Sequence, residues 1–317
     1  MPSAAFQTLT HRLDRREPSA ASAMMALAEA GESDAQYKAS ELALRGLAGP
    51  VDLEQAHRWM AKAAAQGHVE ARRAEAYFTA AGIGCQTDPA RARSMLETIA
   101  ADDRFVAVQL AFFNYVQCAE RLETAERRLI STDPHIELIL GLFSAAECRY
   151  LQLLAEPWLE PAMIYATTGM GKRDPHRDSD NMVIAPMTED LVVQVINRCI
   201  AAASRTDVSW GEPLHILRYG PGQQYRPHHD AHAFSPVGKR RIATALLYLN
   251  DAYEGGETHF PALNIKVRGG IGDLLIFHNL DAGMIPDPRM IHAGLEITSG
   301  EKWLATRWIR SADYFGR

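Results

Sequence analysis

Two side chains that could bind a metal ion, His228 and Asp230, stand two residues apart in the most polar stretch of the sequence, YGPGQQYRPHHDAH. If this stretch is extended, residues two apart project to the same side, so an imidazole and a carboxylate can occupy adjacent positions around one ion. Nitrogen and oxygen donors together suit iron(II), and a second histidine would complete a facial triad with three positions left open. His292 is the candidate for that third ligand.

A histidine and an aspartate at this spacing are weak evidence on their own. The chain contains a second such pair, His176 and Asp178, in a polar segment typical of a loop. Taken alone, either pair is better explained as solvated surface residues than as metal ligands. His229 is expected to be an exposed neighbour of the site, because adjacent residues on a strand point to opposite faces. The motifs around and after His228 are what separate the two pairs.

The elements that must position these residues are short strands. From Leu214 onward, apolar segments alternate with turns rich in Gly, Pro, Asn and Asp. Many short strands without intervening helices are typical of a β-sandwich or jelly roll. Upstream, Ser144 and Glu147 form a capping-box pattern that predicts a helix, and a second helix is predicted from Thr188. Strands are predicted at Ile136–Leu142, Leu214–Tyr219, Ile242–Leu249, Leu274–Phe277 and Lys302–Arg310.

The first third of the chain repeats itself about every 36 residues, and DLEQAHRW from Asp52 aligns with DPARARSM from Asp88. A repeat of this length is typical of a helix–turn–helix solenoid. Asp52 and Asp88 can accept hydrogen bonds at a helix start, and Pro89 suits the first helical position. The pattern resembles Sel1-like repeats, relatives of the tetratricopeptide family, over about residues 18–118. A helical bundle without a partner is the alternative interpretation.

Length and composition are ordinary for a globular chain of about two domains. The 317 residues are 47% hydrophobic and carry a formal charge of −6, which gives no electrostatic reason to expect nucleic acid as a partner. No apolar run is long enough for a membrane helix, and the first residues lack the apolar region of a signal peptide, so we expect a cytoplasmic protein. The four cysteines stand far apart, and we expect buried apolar residues, not disulfides or zinc ligands.

Residues 135–312 resemble the catalytic domain of the prolyl 4-hydroxylases, a family of iron(II)- and 2-oxoglutarate-dependent dioxygenases. The matching motifs occur in the family's order, and several spaced motifs together are far more specific than any one of them. They are Arg218-Tyr219-Gly220, Gln224-Tyr225-x-x-His228-x-Asp230, Leu247-Tyr248-Leu249-Asn250, Gly255-Gly256-Glu257-Thr258-x-Phe260-Pro261, Gly272-Asp273, His292-Ala293-Gly294 and Gly300-x-Lys302-Trp303.

The resemblance implies that His228, Asp230 and His292 hold iron(II). It also implies that Lys302, which follows His292 at the spacing the family requires, binds the far carboxylate of 2-oxoglutarate. A cation at the end of a narrow pocket is what a five-carbon diacid needs. The implied cofactors are therefore Fe(II), 2-oxoglutarate as cosubstrate and O2, with ascorbate as a reductant.

Further contacts with the cosubstrate are expected on neighbouring strands. Tyr219 matches a tyrosine that often contacts 2-oxoglutarate in the family, and Tyr248 is a similar candidate. For both, a tyrosine of the core is the alternative, because a buried hydroxyl always needs a partner. Thr306 shares a strand face with Lys302, and Trp308 lies further along that face as pocket wall or as core.

The expected fold combines an N-terminal α-helical repeat solenoid with an α+β part, a double-stranded β-helix (jelly-roll) oxygenase domain with flanking helices. The turn-forming segment Ser131–His135 suggests the boundary between them. We expect an N-terminal tail over residues 1–17, the helical repeats over 18–130 and the oxygenase domain over 131–317.

The resemblance implies a hydroxylase that acts on an unactivated C–H bond, most simply in a prolyl or other residue of a protein or peptide, and releases succinate and CO2. The repeats would then recruit the protein substrate. Two alternatives stay open at this point. One keeps the chemistry on a free amino acid or small metabolite, and the other is a non-catalytic interaction or sensor protein built on the repeats.

Overall fold

The computed structural model describes residues 2–17, 19–165, 171–173, 177–231 and 240–315. Contacts divide the chain into two compact units. The first unit comprises Met1–Tyr115 and Ala185–Gln194, and the second comprises Val116–Ile184 and Val195–Arg317.

The first unit is helical, and the two helix starts that the sequence predicts, at Asp52 and Asp88, are confirmed. Asp52 accepts a hydrogen bond from the backbone N–H of Gln55, and Asp88 accepts one from that of Arg91, so both aspartates cap a helix. Two of the helices end at a glycine in the left-handed conformation, Gly46 with a φ of 65° and Gly82 with a φ of 72°. The helices are α1 (Ala4–Asp14), α2 (Ala20–Glu29), α3 (Ser33–Arg45), α4 (Leu53–Ala65), α5 (Val69–Ala81), α6 (Pro89–Glu97) and α7 (Arg104–Phe113).

The structure differs from the expected tail over residues 1–17, because this segment contains α1. Ser3 caps the helix by accepting a hydrogen bond from the backbone N–H of Phe6. Phe6, Leu9 and Leu13 then pack on a core that includes Trp59, so an apolar stripe holds this segment in the helical unit. The repeat type of this unit stays a prediction.

In the part of the chain that the structure describes, the second unit contains all of the strands and three helices, α8 (Cys118–Thr124), α9 (Ala145–Ala155) and α10 (Leu191–Ala203), the last of which begins in the first unit. Four of the five strands predicted from the sequence are confirmed to within one residue at either end. The fifth, predicted at Ile136–Leu142, begins at the predicted residue but already ends at Ile139. The strands are β1 (Arg127–Ser131), β2 (Ile136–Ile139), β3 (Glu160–Pro161), β4 (Met163–Tyr165), β5 (Gly171–Arg173), β6 (Asp180–Ile184), β7 (Leu214–Tyr219), β8 (Tyr225–His228), β9 (Arg241–Tyr248), β10 (Tyr253–Gly255), β11 (Thr258–Phe260), β12 (Ile265–Val267), β13 (Leu274–His278), β14 (His292–Gly294), β15 (Ile297–Gly300) and β16 (Lys302–Arg310).

Two antiparallel sheets face each other across the main core of this unit. The larger has the order β1-β2-β13-β9-β16-β7-β6-β3, and the smaller has the order β12-β11-β14-β8. Phe260 of the smaller sheet packs edge-on against Phe277 of the larger, with ring centroids 5.2 Å apart. The side chain of Gln152 on α9 donates to the carbonyl of Leu249, which fixes that helix beside the larger sheet. This arrangement confirms the expected jelly roll with flanking helices.

The chain passes from the first unit to the second after Tyr115, earlier than the boundary at residues 130 and 131 that the sequence suggests. The reason is that α8 is joined to the second unit. A disulfide links Cys118 to Cys199 on α10, and Arg121 forms an ion pair with the buried Glu147 of α9. The expectation that the cysteines form no disulfide is therefore wrong for this pair, while Cys85 and Cys148 are free thiols.

Among the described residues, every helix is too short or too polar to cross a membrane.

Candidate active site

Three potential metal ligands converge between the two sheets of the second unit. His228 ends β8 and His292 begins β14, and the two residues are direct partners in the antiparallel pairing of these strands. Asp230 follows β8 and is buried. Its Oδ1 lies 3.7 Å from Nε2 of His228, and its Oδ2 lies 3.6 Å from Nε2 of His292. One ligand atom from each of the three residues lies within 4.8 Å of the other two, which is close enough to share one ion.

Both histidines are held in the form that a metal requires. Nδ1 of His228 lies 2.9 Å from the carbonyl oxygen of Arg226, and Nδ1 of His292 lies 3.0 Å from that of Met290. A carbonyl oxygen can only accept, so each Nδ1 carries a proton and each Nε2 is the nitrogen left to bind a metal. Burial, together with the nearby His292 ring, lowers the pKa of His228 to about 4, which keeps this imidazole neutral.

The third ligand is an ionised carboxylate. Burial by itself raises the pKa of Asp230, but the rings of His292 and His228 and the hydroxyl of Thr244 outweigh it and lower the pKa to about 2. Two imidazoles and one carboxylate form the donor set that suits iron(II) with open coordination positions. The residues present therefore fit the cofactor.

A cavity of about 530 Å³, counted to its open mouth, extends from the three candidate ligands to Lys302. Apolar side chains form much of its wall, including Leu217, Leu246 and Leu304. Lys302 is only 2% exposed, and its ammonium donates to the carbonyl of Gly256. Burial lowers the pKa of Lys302 to about 7, with partial opposition from Glu257. The cavity thus has a metal-binding end and a cationic end.

The other predicted contacts take different positions around this cavity. Tyr219 and Thr306 both line it, and Tyr219 pairs with Lys302 in the register of β7 and β16. Oγ1 of Thr306 is buried and has no hydrogen-bond partner among the described residues. Tyr248 lies outside the lining, with its hydroxyl 3.2 Å from Oγ1 of Thr258 and its ring centroid 5.4 Å from Nζ of Lys302.

The structure also adds lining residues that the sequence did not single out for a role. The ring of Tyr225 stacks on His228, with centroids 3.5 Å apart. The guanidinium of Arg177 lies 5.4 Å from the centroid of Tyr225. Trp308, for which the sequence left both pocket wall and core open, forms a further part of the wall. The sequence signal for Tyr225 was its place in the motif before His228, whereas nothing in the sequence marked Arg177.

Two further histidines that the sequence brought into question, His229 and His176, are not among the candidate ligands. His229 is half-buried, because its Nε2 donates to the carbonyl of Asp287 and its Nδ1 accepts from the backbone N–H of Ala231. The expectation of an exposed neighbour is therefore wrong, since strand alternation no longer applies beyond the end of β8. His176, in the competing His-x-Asp pair, lies outside the described residues.

Comparison with known proteins agrees with this geometry. Residues 214–310 match the model of the 2OG-Fe(II) oxygenase superfamily. Prolyl 4-hydroxylase 1 of Arabidopsis thaliana is 35% identical over 208 residues, which cover 60% of this chain and 74% of that protein. Probable prolyl 4-hydroxylase 6 of the same plant is 34% identical, over 57% of this chain and 70% of that protein.

Among solved structures, the viral collagen prolyl hydroxylase of Paramecium Bursaria Chlorella virus-1 is 28% identical. The match covers 56% of this chain and 96% of that chain, with a TM-score of 0.46. The 35% identity to the plant enzyme, over 74% of that enzyme's length, decides the assignment. The chain belongs to the prolyl 4-hydroxylase family of 2OG-Fe(II) oxygenases and is a 2-oxoglutarate-dependent dioxygenase that uses Fe(II), 2-oxoglutarate and O2.

Proposed function

We propose that this enzyme hydroxylates a prolyl residue within a protein or peptide and releases succinate and CO2. The observation that carries the proposal is one cavity with a His–Asp–His cluster at one end and a buried lysine at the other. The relatives named above are prolyl 4-hydroxylases, and their names supply the substrate class.

In this proposal, His228, Asp230 and His292 hold iron(II). The bound iron supplies the open coordination positions at which 2-oxoglutarate and O2 react. Nδ1–H of each histidine donates to a main-chain carbonyl, so the rings cannot turn away from the ion. The carboxylate of Asp230 would offset part of the charge of the ion.

Lys302 is proposed to bind the distant carboxylate of 2-oxoglutarate. In the cavity without an anion, burial brings the pKa of this lysine to about 7. An incoming carboxylate favours the ammonium form, because opposite charges attract strongly in a buried site. Thr306 and Tyr219 line the same region and are proposed to contact the cosubstrate. The leucine side chains of the wall keep water from the reacting groups.

Tyr225 and Trp308 are proposed to form the substrate side of the cavity. Both are aromatic residues of the lining, and the Tyr225 ring is already fixed by its stacking on His228. Flat aromatic faces suit the apolar ring of proline, which has no charge or backbone N–H to satisfy.

The first experiment is anaerobic and needs no substrate. Purified protein is mixed with iron(II) and 2-oxoglutarate, and the metal-to-ligand charge-transfer band is recorded. We expect the band in wild type, its loss in His228→Ala and its weakening in Lys302→Ala. No band in folded, iron-loaded wild-type protein would contradict the assignment of these ligands.

The substrate class is tested separately, by mass spectrometry of proline-containing peptides and of free proline after turnover. We expect a mass increase of one oxygen on a peptide prolyl residue, together with succinate. Turnover of free proline with unmodified peptides would replace the peptide proposal by the small-metabolite alternative.

We also propose that the helical unit recruits the protein substrate. A groove between α4, α5 and α6 is lined by small residues and by Arg72, Glu75 and Arg91, which suits a polar polypeptide segment. In the double variant Arg72→Glu/Arg91→Glu, we expect a higher KM for a long substrate and an unchanged KM for a short peptide. Arg93→Glu on the same helix is the control, because Arg93 is paired with Glu97 and is absent from the groove lining.

A further inference from the structure

A buried chain of hydrogen bonds lies behind the candidate metal ligands. Oγ1 of Thr244 is 2.6 Å from Oδ2 of Asp230, and Nδ2 of Asn279 is 3.0 Å from Oγ1 of Thr244. Thr244 lies on β9 and Asn279 directly follows β13, and both side chains are fully buried. Neither residue belongs to the cavity lining described above.

Chemistry allows only one direction for these bonds. The ionised carboxylate of Asp230 can only accept, so the single hydroxyl proton of Thr244 must point to it. Oγ1 of Thr244 then has only lone pairs left for Asn279, which must present its NH2 group. The chain therefore runs from the amide N–H of Asn279, through the hydroxyl of Thr244, to Oδ2 of Asp230.

Asn279 anchors this chain to the main chain of the larger sheet. Its backbone N–H donates to the carbonyl of Ile242 at 2.8 Å, and its own carbonyl accepts from the backbone N–H of Asp287 at 3.0 Å. Its side-chain Oδ1 is buried and has no hydrogen-bond partner among the described residues. A buried acceptor without a hydrogen bond lowers the free energy of unfolding by about 1–3 kcal/mol, so Oδ1 of Asn279 destabilises the fold.

Apart from this bond, the two carboxylate oxygens of Asp230 have similar positions relative to the two candidate histidine ligands. Oδ1 faces His228 and Oδ2 faces His292, at nearly equal distances of 3.7 and 3.6 Å. Coordination through both oxygens would use a position that 2-oxoglutarate and O2 need, because an open triad depends on a carboxylate that binds through one atom. The hydroxyl of Thr244 breaks this near-symmetry, since it is bonded to Oδ2 alone.

We propose that Thr244 and Asn279 are positioning residues that hold Oδ2 of Asp230 and leave Oδ1 as the oxygen that binds the metal. The inference rests on the proposed metal centre. It predicts that loss of the Thr244 hydroxyl weakens metal binding and also hinders 2-oxoglutarate when the metal site is full. A residue that only stabilised the fold would change neither quantity in protein that remains folded.

The test measures binding of Mn(II) to the metal-free protein by electron paramagnetic resonance. Thr244→Val keeps the side-chain shape and removes the hydroxyl, whereas Thr244→Ser keeps the hydroxyl. We expect the dissociation constant for Mn(II) to rise about 10- to 100-fold in Thr244→Val, the usual effect of losing such a partner. Thr244→Ser should remain within a few-fold of wild type. Asn279→Leu should weaken binding in wild type and add nothing in Thr244→Val, because Asn279 acts through Thr244.

The matched control is Thr258→Val, which removes another buried hydroxyl whose partner is Tyr248 and not a candidate ligand. We expect its Mn(II) affinity to equal that of wild type. The 2-oxoglutarate dissociation constant at saturating iron(II) should rise in Thr244→Val, and thermal unfolding of each metal-free variant checks that it is folded.

Three results would overturn the inference. The first is a Thr244→Val protein that binds Mn(II) as tightly as wild type, and the second is a Thr258→Val protein that loses as much Mn(II) affinity as Thr244→Val does. A wild-type protein that binds no Mn(II) would remove the proposed metal centre itself, and the inference with it. Tight binding by wild type with an unchanged Thr244→Val would remove the inference alone.

Discussion

At the scale of single residues, burial determines what the charged groups of the cavity can do. Lys302 is enclosed almost completely, and the cost of a charge without water lowers its pKa to about 7. Asp230 is equally buried but stays ionised, because two imidazoles and a hydroxyl favour its charged form. The cavity therefore holds a carboxylate that stays ionised, Asp230, and a lysine, Lys302, that becomes fully protonated when an anion binds beside it.

The lowered pKa of Lys302 predicts how the stability of the protein without cosubstrate depends on pH. Between about 7 and the ordinary lysine value of 10.5, the unfolded chain binds a proton that the folded protein lacks. The free energy of unfolding should therefore rise with pH across this window, as linkage requires. Urea unfolding at several pH values measures it, and Lys302→Met should show a smaller rise than wild type. Equal slopes in the two proteins would contradict the burial of a neutral lysine.

The same residue predicts the affinity for the cosubstrate. Lys302→Met should raise the dissociation constant for 2-oxoglutarate about 10- to 100-fold, since a hydrogen bond between charged groups contributes about 1.5–3 kcal/mol. The affinity of wild type should fall as pH rises above about 7, where the lysine must take up a proton on binding. Anaerobic titration of the charge-transfer band checks both. A pH-independent affinity would argue that another group binds the distant carboxylate.

At the scale of elements, the register of strands brings together residues that are far apart in the sequence. The long strands were predictable, because runs of apolar residues between turns mark them, as in Leu214–Tyr219 and Lys302–Arg310. Three-residue strands such as β11 and β14 were not, since they are too short to show a period. The sequence pointed to the candidate ligands through motif order, and the structure brings them together. The bond from Thr244 to Asp230, in contrast, depends on how β9 meets the chain after β8. Such a contact has no signal in a single sequence.

Substitution of Gly272 tests the backbone conformation of the turn that leads into β13. Its φ is +84°, and a Cβ there would lie 1.8 Å from the carbonyl oxygen of Phe143. Gly272→Ala should lower the free energy of unfolding by about 3 kcal/mol, because both the backbone angle and the clash oppose it. Gly141→Ala is the matched control, with a φ of +55° and open space around the added carbon. It should lose only about 1 kcal/mol in urea unfolding, and equal losses would contradict the role of the clash.

At the scale of the whole molecule, a disulfide was the largest departure from expectation. The spacing of the four cysteines gave no sign of pairing, because Cys118 on α8 and Cys199 on α10 are 81 residues apart in the chain and only the fold brings them together. Disulfides are rare in the cytosol, where thiols are kept reduced. The cytoplasmic location therefore stays a prediction, and this cross-link argues against it.

Reduction of this disulfide should destabilise the second unit. The bond closes a loop between cysteines 81 residues apart, and such a closure stabilises a fold by about 4 kcal/mol in the chain-entropy treatment. Urea unfolding with and without reductant should show a lower midpoint after reduction. The variant Cys118→Ala/Cys199→Ala should not respond to reductant, whereas Cys85→Ser should respond as wild type does. An unchanged wild-type midpoint would show that the bond contributes nothing.

The three candidate ligands have a mechanical consequence for the jelly roll. His228 and His292 belong to the smaller sheet, whereas Asp230 is tied through Thr244 to β9 of the larger sheet. An ion held by all three residues would therefore cross-link the two sheets, in addition to the apolar core that lies between them. Ligands that bind only the folded state stabilise it by about 2.7 kcal/mol at a hundred times their dissociation constant. Removal of the ion by a chelator should therefore raise the rate of hydrogen exchange at the paired strands β8 and β14 of the smaller sheet.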